Sequence, residues 1–142
     1  MTSVKTLLKT KPAGLLSIAP NAKIIEALRL MAEKNVGALM VMDGDNLVGM
    51  FSERDYARKV ALMGRTSVDT PVSDIMVSPV MTVTLQQSRE DCMALMTNKR
   101  ARHLPVVDNG RVVGLLSIGD LVKDALMEQE ETIHQLENYV NS

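Results

Sequence analysis

The chain has 142 residues, 46% of them hydrophobic and 23% charged, with a formal net charge of −1. That length supports one domain, or two closely packed half-domains, without a disulfide or metal staple. The only aromatic residues are Phe51, Tyr56 and Tyr139, too few for the stacking platform of a single-stranded nucleic-acid groove, so nucleic acid is set aside as a partner.

Cys92 is the single cysteine, which rules out an intramolecular disulfide and fits a reducing compartment. Residues 1–14 hold no apolar core of signal-peptide length. No apolar run approaches the ~18 residues that span a bilayer. The expectation is a cytoplasmic protein with no membrane partner, its aliphatic core completed by eleven Met residues.

In chain order, a leader at residues 4–8 precedes a short strand at 14–18 and a turn at Pro20-Asn21. Ile24, Ile25, Ala27, Leu28, Met31 and Ala32 follow the spacing of an amphipathic helix over 24–35, which Asn35 and Gly37 should stop. The apolar run 38–42 predicts a buried strand, Asp43-Gly44-Asp45-Asn46 a hairpin turn, and 47–51 the returning strand. Ser52 then opens a helix to about Met63, and the short polar stretch 64–71 connects to a second leader at 72–76. Further strands are predicted at 104–107 and 112–116 around Asn109-Gly110, the strongest short hairpin signal, before a helix from Ser117.

The same order occurs twice because the sequence repeats. Shifted by 65 positions, residues 18–56 lie over 83–121 without a gap, and ten of the 39 pairs are identical. Unrelated segments would share roughly two or three. The leaders match as well, Val4-Lys-Thr-Leu-Leu against Val72-Ser-Asp-Ile-Met, once the loop Thr-Lys-Pro-Ala-Gly of the first copy is allowed three extra residues over Val-Ser-Pro. The expected boundaries are 1–67 for the first unit with its leader helix, 68–125 for the second, and 126–142 for a C-terminal helical extension.

Both copies end their hairpins in Val-Gly-apolar-apolar-Ser-x-x-Asp, at Val48–Asp55 and Val113–Asp120. Ser-x-x-Asp ahead of a helix is a variant of the capping box, the hydroxyl satisfying an orphan N–H. The same geometry makes an anion site, with helix-terminal amides facing a phosphate and the Asp accepting ribose hydroxyls. The two roles coexist, and recurrence at one register of a duplicated unit favours the second.

The βαββα repeat, the two Gly-apolar-apolar-Ser-x-x-Asp endings and the phrase His103-Leu104-Pro105-Val106-Val107-Asp108 resemble a tandem pair of cystathionine-β-synthase (CBS) domains, over about residues 4–123. The resemblance implies an α+β fold of two pseudo-symmetric βαββα units packed sheet to sheet, here with an extended C-terminal helix. It further implies clefts for an adenosine ligand, AMP foremost, with ATP, ADP, NAD(H) and S-adenosylmethionine as alternatives and no metal. Transferred to matching positions, Asp55 and Asp120 hold the ribose, and Ser52 and Ser117 contact phosphate or the ribose-phosphate link. Ser17-Ile18 and Thr82-Val83 line the adenine pockets, with Ala38-Leu39-Met40 and His103-Leu104-Pro105 across the base.

The copies are not equivalent. Arg54 and Arg58 share a helical face at i, i+4 in copy one, where copy two has Gly119 and Lys123. Arg100 and Arg102 belong to the only dense basic cluster, Lys99–His103, which is either a solvated helix end or a phosphate trap. His103 and His134 lie 31 residues apart without zinc-site spacing, and Cys92 occupies an apolar helix face. No nucleophile–base pair or Walker motif stands out.

Val122, Leu126, Gln129, Ile133, Leu136 and Val140 form a 4-3-4-3-4 seam along the last helix. This favours contact with another chain, as a homodimer, over folding back. The expected function is a non-enzymatic adenosine-nucleotide sensor signalling to an unidentified regulated protein. A ligand-free dimerisation module is the alternative, and an enzyme acting on bound nucleotide is a third reading.

Overall fold

A computed structural model of the protein describes residues 2–11 and 15–141. In the first repeat, β2 (Ala38–Asp43) and β3 (Asn46–Ser52) form an antiparallel hairpin, and β1 (Ser17–Ile18) joins β2 in parallel. In the second, β4 (His103–Asp108) pairs with β5 (Arg111–Ser117). The 65-residue offset survives in the register. Ala38 faces Ser52 as His103 faces Ser117, Val41 faces Gly49 as Val106 faces Gly114, and each ladder then has an irregularity one position later. Asn109 and Gly110 both adopt positive φ, 51° and 77°, as a tight hairpin turn requires.

The first strand of each repeat is shorter than the expected 14–18. Only Ser17 and Ile18 join the ladder, Gly14 lies outside the described residues, and the counterpart in copy two is a single bridge from Val83 to Val106. Leu15 and Leu16 leave the sheet to line a cleft instead.

Helix α2 (Ile24–Lys34) buries Ile24, Ala27 and Met31, and α4 (Arg89–Lys99) buries the matching Cys92 and Met96. Both helices close on a left-handed residue, Asn35 at φ 55° and Arg100 at φ 54°. The helix expected from Ser52 to Met63 is broken in character. α3 (Glu53–Asp55) runs into a π-helical turn over Tyr56–Ala61, shown by Leu62 N–H donating to Ala57 C=O across five residues. The chain then turns at 62–64, leaving Leu62 and Met63 exposed.

Each leader packs on the other repeat. Helix α1 (Val4–Lys9) buries Val4 and Leu7 among Val83, Cys92, Leu104 and Leu116, and its Val4 and Lys5 N–H groups donate to Gln87 and Leu85 carbonyls. The second leader, a 3₁₀ turn at Val72–Asp74, buries Val72 with Ile24, Ala27, Leu39 and Phe51, while Val72 and Ser73 donate to Ala22 and Pro20. The two glycines at matching positions of the repeat phrase permit this exchange. A Cβ on Gly49 would meet Met76 of the second leader, and one on Gly114 would meet Leu8 of the first.

Helix α5 (Ile118–Asn141) buries only Leu121. Arg89, at the start of α4, anchors it through Asp124 at 2.8 Å and through Glu128, while also pairing with Glu90. Beyond that point Leu126, Ile133, Leu136 and Val140 are each more than half exposed, so the seam does not fold back onto its own domain. No helix among the described residues is long and apolar enough to cross a membrane.

Candidate functional site

Two clefts lie where the repeats meet, and both are built from one repeat's hairpin end and the leader and helix end that pack beside it. The first, about 660 Å³, has Ser52–Asp55 on one wall, Val77 and Pro79–Met81 on a second, and Lys99–His103 on a third. The second, about 590 Å³, has Val113–Leu115 and Ser117 opposite Leu8, Lys11, Leu15 and Leu16, closed by Val36. Gly37, Ala38 and His103 line both, so the clefts adjoin at the starts of β2 and β4.

In the first cleft the Ser52–Asp55 capping box is complete. Asp55 Oδ2 accepts from Ser52 N–H at 3.0 Å and Ser52 Oγ at 2.9 Å, and Ser52 Oγ accepts from Asp55 N–H at 3.2 Å. Lys59 approaches Asp55 Oδ1 at 3.6 Å from outside the cleft wall. Four cations reach the walls, Arg54, Lys99, Arg100 and Arg102, against the carboxylates Glu53 and Asp55. Arg100 does so from the left-handed backbone position that ends α4.

The second cleft repeats the serine–aspartate arrangement with a different partner. Asp120 Oδ2 accepts from Ser117 N–H at 2.8 Å, and Asp120 N–H donates to Ser117 Oγ at 3.2 Å. Lys11 Nζ then reaches across from the first leader to Asp120 Oδ2 at 2.8 Å and to the Leu115 carbonyl. Both side chains are about 30% exposed. Burial opposes ionisation of Asp120, but the bonds from Lys11 and Ser117 outweigh it and hold the carboxyl below its ordinary range. Burial, followed by the charge of Lys11 and then Arg102, holds His103 below the usual imidazole range, against the pull of Asp120.

Of the residues singled out in the sequence, the structure gathers Ala38, Ser52, Arg54, Asp55, Arg100, Arg102 and His103 around the first cleft. Ala38, His103 and Ser117 line the second, with Asp120 held behind Lys11. The others are elsewhere. Leu39, Met40 and Leu104 are fully buried, Pro105 is buried in β4, Ser17 and Ile18 are committed to the β1–β2 ladder, and Val83 is buried at its bridge. Thr82 lines a separate hollow near the hairpin turns. The wall positions fall two residues earlier, at Leu15-Leu16 and Val80-Met81. Arg58 is not among the residues that line the first cleft, whereas Arg54 is.

The sequence pattern missed Lys11, which lies in the loop that is longer in copy one and so has no counterpart to flag it. Chemically, the first cleft offers a carboxylate for a polyol beside a surplus of cations for an anion. The second offers the same carboxylate already paired with a single lysine. Cys92 is fully buried and its thiol is pushed up to about 11, by burial and then by the Asp91 charge, as an inert core residue should be.

The CBS domain family profile matches residues 4–62 and 72–126. The mitochondrial CBS domain-containing protein CBSX3 of Arabidopsis thaliana is 38% identical over 122 residues, 82% of this chain, which spans 59% of that protein's length. The CBS domain-containing protein YhcV of Bacillus subtilis (strain 168) is 36% identical over 129 residues, 91% of this chain and 89% of that one. Among solved structures, a protein with CBS domains from Burkholderia ambifaria MC40-6 is similar at a TM-score of 0.87 and 49% identity, covering 90% of this chain and 96% of that chain. CBSX2 in complex with AMP is similar at 0.73 and 28% identity, covering 89% and 98%. Duplicated hairpins, recurring serine–aspartate pairs and a profile match to both halves agree: this chain belongs to the CBS-domain family.

Proposed function

We propose that the protein is a regulatory module whose first cleft binds an adenosine nucleotide, AMP foremost, and signals occupancy to another chain. The observation that carries this reading is the convergence of Asp55 with Arg54, Lys99, Arg100 and Arg102 on one cleft. A vicinal diol suits the carboxylate, the phosphate suits the cations, and Ala38, Val80 and Met81 offer an apolar wall for a base. The complex of the similar CBSX2 with AMP supports the ligand class. The described residues of the clefts are binding groups, which support reading the protein as a sensor. The exposed α5 stripe supports association with a second copy.

A ligand-free dimerisation module is the second reading, favoured by the fact that the capping box alone satisfies Ser52 and Asp55. A thermal-shift panel of AMP, ADP, ATP, NAD⁺, NADH and S-adenosylmethionine separates the two. Ligand at 100 times its Kd stabilises by about 2.7 kcal/mol. The expected result is a shift of several degrees with AMP that is lost in Asp55→Ala. No shift with any ligand would reduce Ser-x-x-Asp to helix capping.

A further inference from the structure

We infer that Lys11 sets the ligand specificity of the second cleft, admitting an adenosine ligand only where it brings a phosphate to receive the lysine's charge. This rests on the clefts being adenosine sites. The two clefts share a serine–aspartate pair but differ in what the aspartate already holds. Lys11 Nζ bonds Asp120 Oδ2 at 2.8 Å and lines the cleft itself, whereas Lys59 reaches Asp55 only at 3.6 Å and from outside the wall.

A ribose diol that takes both oxygens of Asp120 must displace that ammonium from Oδ2. The displaced ammonium keeps the neutral Leu115 carbonyl but loses its one carboxylate partner among the described residues. Among the described residues, the walls apart from Lys11 are apolar or neutral: Leu8, Leu15, Leu16, Val36, Val113 and Leu115 surround it. The neighbouring His103 is held in its neutral form and cannot share an anion's charge. Adenosine would therefore strand a half-buried cation, while AMP supplies the oxygens that replace the carboxylate. The first cleft, with four cations in hand, imposes no such exchange and tolerates a longer phosphate chain.

The test isolates the second cleft by working in Asp55→Ala and titrating AMP and adenosine by calorimetry, with Asp55→Ala/Lys11→Met beside it and the wild type as reference. The single variant is expected to bind AMP at least ten-fold more tightly than adenosine. The double variant is expected to lose that preference, adenosine gaining and AMP weakening. An AMP-to-adenosine ratio unchanged by Lys11→Met, or near one before it, overturns the inference. AMP binding to the wild type and to neither variant also overturns it, and leaves the first-cleft reading standing. A Lys11-dependent preference in Asp55→Ala, with wild-type stoichiometry no greater, supports it and removes the first cleft from the reading. Binding by none of the three proteins sinks both.

Discussion

The exchange of leaders between repeats is open to a double-mutant test at Gly49. A Cβ there would lie 2.8 Å from Met76 Cγ and 3.1 Å from Met76 Cβ, and in contact with its sulfur. Those atoms are not all at the free end of the chain, so Met76 must move bodily or the second leader must lift from β3. Overpacking of this kind costs about 1–3 kcal/mol. In a chain of this size that lowers Tm by about 2–4 °C per kcal/mol. Gly49→Ala should therefore melt several degrees below wild type. Truncating the obstacle should relieve it, so Gly49→Ala and Met76→Ala should show a coupling on the order of 1 kcal/mol or more in urea unfolding. Gly49→Ala and Leu8→Ala, which belong to different cores, should add to within about 0.5 kcal/mol. At Gly114 the pattern inverts, since its Cβ would meet Leu8 Cδ2 at 2.6 Å and Cδ1 at 2.9 Å. The penalty there should be smaller because those methyls are the flexible end of the side chain. Coupling of Gly49 to Leu8 instead of Met76 would mean that each leader packs on its own repeat, and the exchange would be wrong.

Two further outcomes follow from local chemistry. Ser88 caps α4, its hydroxyl accepting from Asp91 N–H at 3.0 Å, so Ser88→Ala should cost about 1 kcal/mol in a thermal melt while leaving nucleotide binding unchanged. Acid should destabilise the wild type in two separate windows. His103 titrates below its ordinary 6.5, so the unfolded chain binds the extra proton first, and stability that is full above pH 6.5 declines as pH falls toward the depressed native value. Asp120, depressed from 3.8, loses its contribution in the same direction below that pH. A Tm profile that is flat between pH 7.5 and 5.5, or unchanged there by His103→Gln, would contradict the first step.

What the sequence made legible is what the repeat carries twice. Hairpin turns, strand registers and helix faces recur at the same offset because each is dictated locally, by Asn109-Gly110, by apolar alternation and by Ser-x-x-Asp. The leader exchange left no local trace. Val4-x-x-Leu7-Leu8 and Val72-x-x-Ile75-Met76 are alike enough in shape to fill either core, so self-similarity could align them but not assign them. Leu15-Leu16 and Val80-Met81, which line the clefts two residues ahead of the expected pairs, stood outside the pattern because only Ser17 and Ile18 hold strand geometry and Val83 makes a single bridge. The π-helical turn was illegible because nothing in Tyr56–Ala61 departs from a sequence suited to an α-helix.

In the proposed sensor, the exchange would give the repeat architecture its means of responding to a ligand. Were each leader packed on its own repeat, a cleft would be a property of one unit, and filling it would leave the other unmoved. Here the first cleft takes Ser52–Asp55 from one repeat, Val77 and Pro79–Met81 from the segment that follows the second leader, and Lys99–His103 from the end of α4. Its occupant must touch both repeats at once. Helix α4 carries that contact further, for Arg89 at its opposite end holds Asp124 and Glu128 of α5. Adjacency of this kind becomes coupling only if the filled and empty clefts favour different placements of α4. The arginines at its C-terminal end are where such a difference would arise. An anion drawn between Arg54 on one repeat and Arg100 and Arg102 on the other would be attracted by both walls at once, and so would favour their closer approach.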